Sequence, residues 1–155
     1  MNAIERGDVR DVKEQLDSGT DPNAYPNQDE DDLSPLNFAV ERGNRAAIKL
    51  LLDHHADPNI QDGYHYNPLA AAEDHPEVMP LLLSYGAQVN DSEGNSWALY
   101  RVAMDGKPAA VAFLLAHGAN PNTHIRTNPL LPMLKDTPPE DHQVIALLRK
   151  AGAKE

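Results

Sequence analysis

Apolar residues along this chain fall into short clusters with gaps of three or four positions, and glycine, proline and asparagine interrupt the clusters at regular intervals. Ile48, Leu51 and Leu52 form one cluster; Val111, Leu114 and Leu115 form another. That spacing predicts helices that bury one face. Each cluster runs into a polar stretch of nearly constant wording: DSGTDPN at 17–23, DHHADPN at 53–59 and AHGANPN at 116–122. Self-similarity of this kind marks a stacked architecture built from one recurring unit.

Aligned on those stretches, the chain divides into like segments. SPLNFAVERGNRAAIKLLLDHHADPN spans 34–59, NPLAAAEDHPEVMPLLLSYGAQVN spans 67–90, and WALYRVAMDGKPAAVAFLLAHGANPN spans 97–122. NPLLPMLKDTPPEDHQVIALLRKAGA follows at 128–153, and AIERGDVRDVKEQLDSGTDPN at 3–23 fits the same template with its front missing. Starts and ends recur about every 30 to 36 residues. Ser34-Pro35, Asn67-Pro68 and Asn128-Pro129 each place a capping side chain ahead of a proline at the first helical position. A short helix follows, with a turn at Gly43 or Gly106, and a second helix carries the apolar stripe. Gly19, Gly86, Gly118 and Gly152 close that second helix, where a left-handed residue is commonly required. The constant heptad is therefore a helix C-cap leading into a hairpin-like connection. His55 stands where the other units have glycine, which implies backbone strain. One such helix pair cannot cover its own apolar face, so its neighbours must.

The PL start, the mid-unit glycine, the LL stretch and the GA-x-x-N ending resemble ankyrin repeats, in register over nearly the whole chain. The resemblance implies an all-α, right-handed solenoid of about five helix–turn–helix units with short β-hairpin-like connections. It would form a single domain over 1–155, with repeats near 1–33, 34–66, 67–96, 97–127 and 128–155. Departures from the pattern are visible. The unit beginning at Asn67 is two residues short near AEDHPEV, and the last is three residues longer around DTPPED. Trp97-Ala98 replaces the usual Thr-Pro, which predicts a less sharply defined helix start.

The length of 155 residues suits one domain. With no cysteine, disulfides, thiolate metal sites and a thiol nucleophile are excluded. No apolar run approaches the roughly 18 residues of a membrane span, and MNAIERGDVR lacks a signal-peptide core. The expected location is cytoplasmic; a periplasmic or membrane-anchored one follows if an N-terminal segment has been removed before Met1. The formal charge of −11 leaves little from which to build a basic face for nucleic acid. It serves either solubility or attraction of a basic partner.

Chemistry is sparse. His54 and His117 occupy a position where ankyrin units often carry a structural histidine, and His75, His124 and His142 show no paired ligand spacing. The run Asp29 to Asp32 lacks the glycine and closing glutamate of a calcium loop and is expected to be a solvated acidic hairpin. The sequon NDS at 90–92 begins at Asn90, which the repeat already explains. Ser34 reads as a cap, and no Gly-x-Ser-x-Gly or phosphate-cradling loop occurs. Neither an enzyme, nor a metal site, nor a cofactor is expected.

The resemblance implies binding through hairpin tips and the exposed side of the first helices, on a continuous concave face. Carried over position by position, the tips are Asp29, Glu30, Asp31, Asp32, Tyr64, Tyr66, Glu93 and Trp97. The first-helix positions are Glu41, Arg42, Glu73, Asp74, Met104, Asp105, Lys135 and Asp136. Acids dominate, with aromatic rings among them, the composition of a protein-interaction hot spot. The alternative for Trp97 and Tyr66 is packing between neighbouring repeats, as strong as partner contact for Trp97, whereas the hairpin tyrosine Tyr64 is expected to make contact. The expected function is a non-catalytic module, monomeric when free, that binds a protein with a basic surface. A bacterial toxin-immunity or effector-accessory role is the narrower form; a cytosolic regulatory adaptor and, more remotely, a metal-binding or enzymatic protein are the alternatives.

Overall fold

The computed structural model describes residues 9–24, 33–62, 66–125, 127–134 and 142–154. They belong to two compact units, residues 1–87 and 88–155. The described part is mostly helical, in successive helix pairs.

In the first unit, α1 (Val9–Asp17) buries Val12 and Leu16, one turn apart, and packs against α3. The helix pair α2 (Pro35–Glu41) and α3 (Arg45–Asp53) buries Leu36, Ala39 and Val40 from one helix and Ala47, Ile48, Leu51 and Leu52 from the other. Ser34 accepts the Asn37 backbone N–H and Asn44 accepts that of Ala47, so each helix starts on a side-chain cap. The next pair is compressed, as its two missing residues imply. Asn67 caps α4 (Pro68–Ala71), a 3₁₀ turn spans Pro76–Val78, and α5 (Met79–Ser84) buries Met79 and Leu82. No glycine separates this pair, and the His75 ring lies over Gly43 of the preceding one. A Cβ on Gly43 would meet His75 Nδ1 at 2.6 Å, so Gly43 serves both its φ of 61° and the approach of that ring.

In the second unit, α6 (Trp97–Met104) packs on α7 (Pro108–Ala116), which packs in turn on α9 (His142–Lys150). The start of α6 corrects the expectation from Trp97-Ala98. Ser96 is fully buried, accepts the Leu99 N–H at 3.2 Å and donates its own N–H to Thr123 Oγ1 at 2.8 Å. The serine before Trp97 supplies the cap that a threonine would have supplied at 97, and the helix begins sharply. A second correction concerns Asn128-Pro129. These residues form strand β2 (Asn128–Pro129), antiparallel to β1 (His124–Ile125), with Ile125 opposite Asn128 and His124 opposite Pro129. Pairing holds Pro129 extended, at ψ 143°, so the proline itself sits at the cap position without a side-chain bond. Helix α8 (Leu130–Met133) begins one residue later than expected. The enlarged DTPPED segment lies outside the described residues.

The heptads close the second helices as expected. Gly19, Gly86, Gly118 and Gly152 all have positive φ, and His55 joins them at 69°. At His55 the N–H bonds Leu52 O and the Ala56 N–H reaches back to Leu51 O; Gly118 and Ala119 repeat the arrangement on Leu115 and Leu114. The heptads also do something not foreseen. Asp21, Asp57 and Asn120 each fold their side chain onto the N–H two residues on, making a turn. The following asparagine then reaches into the next helix pair. Asn23 donates to His55 O and accepts from Asp57 N–H. Asn90 does the same with Gly118 O at 2.8 Å and Asn120 N–H at 3.0 Å, and Asn122 with Gly152 O and Lys154 N–H.

Two outcomes follow for stability. His55→Gly relieves a left-handed side chain and raises stability by about 1 kcal/mol, whereas Gly118→Ala imposes one and lowers it by about the same amount. Thermal melts of the two variants and the parent test this; a less stable His55→Gly would mean that the imidazole itself holds the turn. Asn90→Ala removes both bonds to the next repeat and costs about 1–2 kcal/mol in urea unfolding.

Candidate protein interface

Residues at i, i+3, i+4 and i+7 share one side of a helix; α2 and α6 each leave some residues half-buried or exposed, whereas all four residues of α4 are buried. On α2 the outward residues are Phe38, Glu41 and, just past its end, Arg42. The Arg42 guanidinium lies over the Phe38 ring, 4.7 Å from its centroid, and caps the aromatic surface with charge. The Tyr66 hydroxyl donates to Glu41 Oε1 at 2.9 Å. Glu73 and Asp74 continue this side past the end of α4, the first half-buried and the second exposed.

A buried polar clamp positions Tyr66. Asp62 Oδ2 accepts from the Ser34 N–H at 2.9 Å and from Asn37 Nδ2 at 2.6 Å, and Asn37 Nδ2 also donates to Tyr66 O. The Asp62 N–H closes a bridge to Tyr66 O at 2.9 Å. The connection is thereby bound to the start of α2, which brings the tyrosine ring over to Glu41. Asn37 sits where an apolar residue would be expected and gave no sequence signal of this role.

In the second unit the outward side of α6 carries Trp97, Tyr100, Arg101 and Met104, opposite buried Ala98, Leu99, Val102 and Ala103. Arg101 pairs with Asp105, one turn on. The Tyr100 hydroxyl meets Met133 of α8 at the sulfur, and burial raises its pKa above the ordinary tyrosine value. Met133 is 40 % exposed, more than any other large apolar residue among the described residues. Tyr100 and Met133 were not singled out from the sequence, although Tyr100 stands three residues after Trp97 and four before Met104. Glu93 is exposed in a turn held by Asp91, whose carboxylate accepts the Glu93 N–H.

Of the sequence-predicted residues, Glu41, Arg42, Tyr66, Glu73 and Asp74 therefore lie in the first unit, and Glu93, Trp97, Met104 and Asp105 in the second. Trp97, Tyr66 and Met104 are half-buried, each resting partly on its own repeat stack. Asp29, Glu30, Asp31, Asp32, Tyr64, Lys135 and Asp136 lie outside the described residues.

The two halves differ in charge. Residues 1–87 contain 17 acidic against 6 basic residues, a formal charge of −11, while residues 88–155 contain 7 of each and are neutral. The whole excess lies in the first unit. Part of its acidity is internally paired on the second helices. Lys13 bonds Asp17, and Lys49 bonds Asp53, which also accepts from the Tyr85 hydroxyl. The Lys49 ammonium and then the Tyr85 hydroxyl hold the Asp53 carboxyl below its ordinary pKa.

His54 and His117 make contacts within the helix stack. His54 Nε2 lies 3.6 Å from Asp17 across to α1, and His117 stacks on Phe113 with its Nδ1 2.8 Å from Phe113 O. Among the described residues no group of three histidines and carboxylates is placed to hold a metal ion. No described helix is long and apolar enough to cross a membrane.

Residues 1–93 match the family of ankyrin repeats, in three copies. No match is found among curated proteins. Among solved structures the chain is similar to an ankyrin repeat domain from Acinetobacter baumannii, with a TM-score of 0.75 and 28% identity over 98% of this chain and 80% of that one. The recurring caps, left-handed closures and asparagine tethers agree with the family match over well over half the chain: it belongs to the ankyrin repeat family.

Proposed function

We propose that this protein is a non-catalytic binding module, monomeric when free, that recognises a protein with a basic surface through its first-helix sides and hairpin tips. Ankyrin repeats are generally protein–protein interaction modules and typically non-catalytic. The observation that carries the finer reading is the confinement of the −11 charge to residues 1–87. Within that unit Glu41 and Asp74 are exposed at and just past the ends of the first helices, and Glu73 beside them is half-buried. Exposed carboxylates add little to the stability of the fold. A net negative charge of this size instead speeds the encounter with an oppositely charged surface.

Within this class, an immunity or accessory partner of a secreted toxin is the narrower reading. The repeats diverge from one another in length and capping, which suits one dedicated partner better than a general scaffold. Inspection of the neighbouring genes and co-expression with any toxin encoded there test that role: protection of the host cell supports it, and the lack of such a gene or unchanged toxicity favours a regulatory adaptor.

The basic-partner reading is tested by affinity capture followed by surface plasmon resonance on the purified partner at two salt concentrations. Association slows as salt rises from about 0.1 M to about 1 M, because the Debye length shrinks from about 10 Å to about 3 Å. Joint neutralisation, Glu41→Gln, Glu73→Gln and Asp74→Asn, lowers the association rate by about tenfold and leaves dissociation nearly unchanged. Replacing Asp29, Glu30, Asp31 and Asp32 with their amides acts in the same direction. Association that is indifferent to salt overturns the reading.

A further inference from the structure

The chain has four methionines and no cysteine, so thioethers are its only sulfur atoms open to oxidation. Their surroundings differ widely. Met79 is fully buried in α5, Met104 is half-buried at the end of α6, and Met1 lies outside the described residues. Met133 is 40 % exposed at the end of α8. The short helix builds in that exposure: Leu130, Leu131 and Leu134 are all buried, and Met133 among them is left outward. The Met133 sulfur is also held in place. It accepts from the Tyr100 hydroxyl at 2.7 Å. Burial raises the pKa of that hydroxyl above the ordinary tyrosine value, so near neutral pH it keeps the proton that it donates.

We infer that Met133 is a site of reversible oxidation by hydroperoxides, and that Tyr100 directs the incoming oxygen to one side of its sulfur. A thioether sulfur carries two lone pairs, one on each side of the C–S–C plane. In the reaction one lone pair attacks the terminal oxygen of the hydroperoxide. The S–O bond forms as the O–O bond breaks, and the proton of the attacked oxygen passes to the departing one, which leaves as water or an alcohol. Sulfur gives up two electrons and the peroxide takes them. Attack from the two sides yields two sulfoxide epimers, and each has its own reductase. At Met133 the Tyr100 hydroxyl engages one lone pair, and its oxygen fills the approach on that side. The other lone pair reacts, and one epimer is favoured. The product sets a polar, chiral group where an apolar one stood on the surface of the second unit. None of this rests on the proposed function or on the charge of a partner.

The experiment exposes the folded full chain to dilute hydrogen peroxide, stops the reaction with catalase, and follows each methionine by digestion and mass spectrometry. Met133 is expected to oxidise at least about tenfold faster than Met79, and faster than Met104, in the order of their exposure. In the chain unfolded by guanidinium the three rates should converge. Sulfoxide reductases specific for each epimer, applied to the digest, then measure the stereochemistry at Met133. One epimer should exceed the other by about threefold or more in the folded parent, and the two should be equal in the unfolded chain. Folded and unfolded parent thus test both points without any variant. Tyr100→Phe keeps the ring and removes the hydroxyl. Once circular dichroism shows parental helix content, it should bring the epimers close to equal, with Met133 still ahead of Met79. A Met133 no faster than the other two overturns the inference. So do equal epimers in the folded parent, or a bias that persists in Tyr100→Phe.

Discussion

Apolar burial supplies most of the energy of such a fold, but it is non-directional and would tolerate neighbouring helix pairs sliding past one another. The asparagine that ends each unit removes that freedom. Asn23, Asn90 and Asn122 each use a carboxamide to donate to the carbonyl of the left-handed residue that closes the next second helix, and to accept an N–H two residues beyond it. Two bonds from one rigid amide fix both distance and direction. They can form only if that closing residue is left-handed, which turns its carbonyl outward, and this explains why His55 keeps a φ of 69° despite its side chain. The buried seams, such as Val12 and Leu16 against α3 or Leu36 and Val40 between α3 and α4, then fall into register.

A helix that needs only half its circumference for packing leaves the other half open to selection for partners. The chain uses that freedom in two ways. On the first unit it sets carboxylates, covers the Phe38 ring with an arginine, and holds Tyr66 to Glu41 through the Asp62 and Asn37 clamp. On the second it sets rings and thioethers and neutralises the adjacent charges against each other. Electrostatic fields act at a distance and govern encounter; apolar contact acts only on touching and governs residence time.

How much could be read from residues alone depended on whether the signal was local. The capping of α2 and α4 by Ser34 and Asn67 was legible because the cap, the proline and the apolar stripe are adjacent in sequence. The same logic misplaced the start of α8, since Asn128-Pro129 looks like Asn67-Pro68 until a strand at 124–125 pairs with it. It also undervalued the start of α6, because the decisive residue, Ser96, lay one position before the presumed start of the unit. Glu41, Arg42 and Met104 are reached by carrying the repeat pattern forward, and the structure leaves the first two exposed and the third half-buried. Tyr100 and Met133 were not, because their contact joins helices about 30 residues apart, a distance that no single repeat encodes.

By itself, then, the sequence determined the repeating unit, the hand of its backbone at every closing turn, the family, and the concentration of charge in its first 87 residues. Each of these is a matter of composition or of spacings shorter than one repeat. Tertiary structure alone decided which side chains of successive units meet. The turn asparagines became tethers, Asn37 and Asp62 a buried clamp, and Tyr100 and Met133 one surface. The physical reason is that a helix side is addressed by its neighbour one repeat away, and only stacking brings that neighbour within hydrogen-bonding or contact distance.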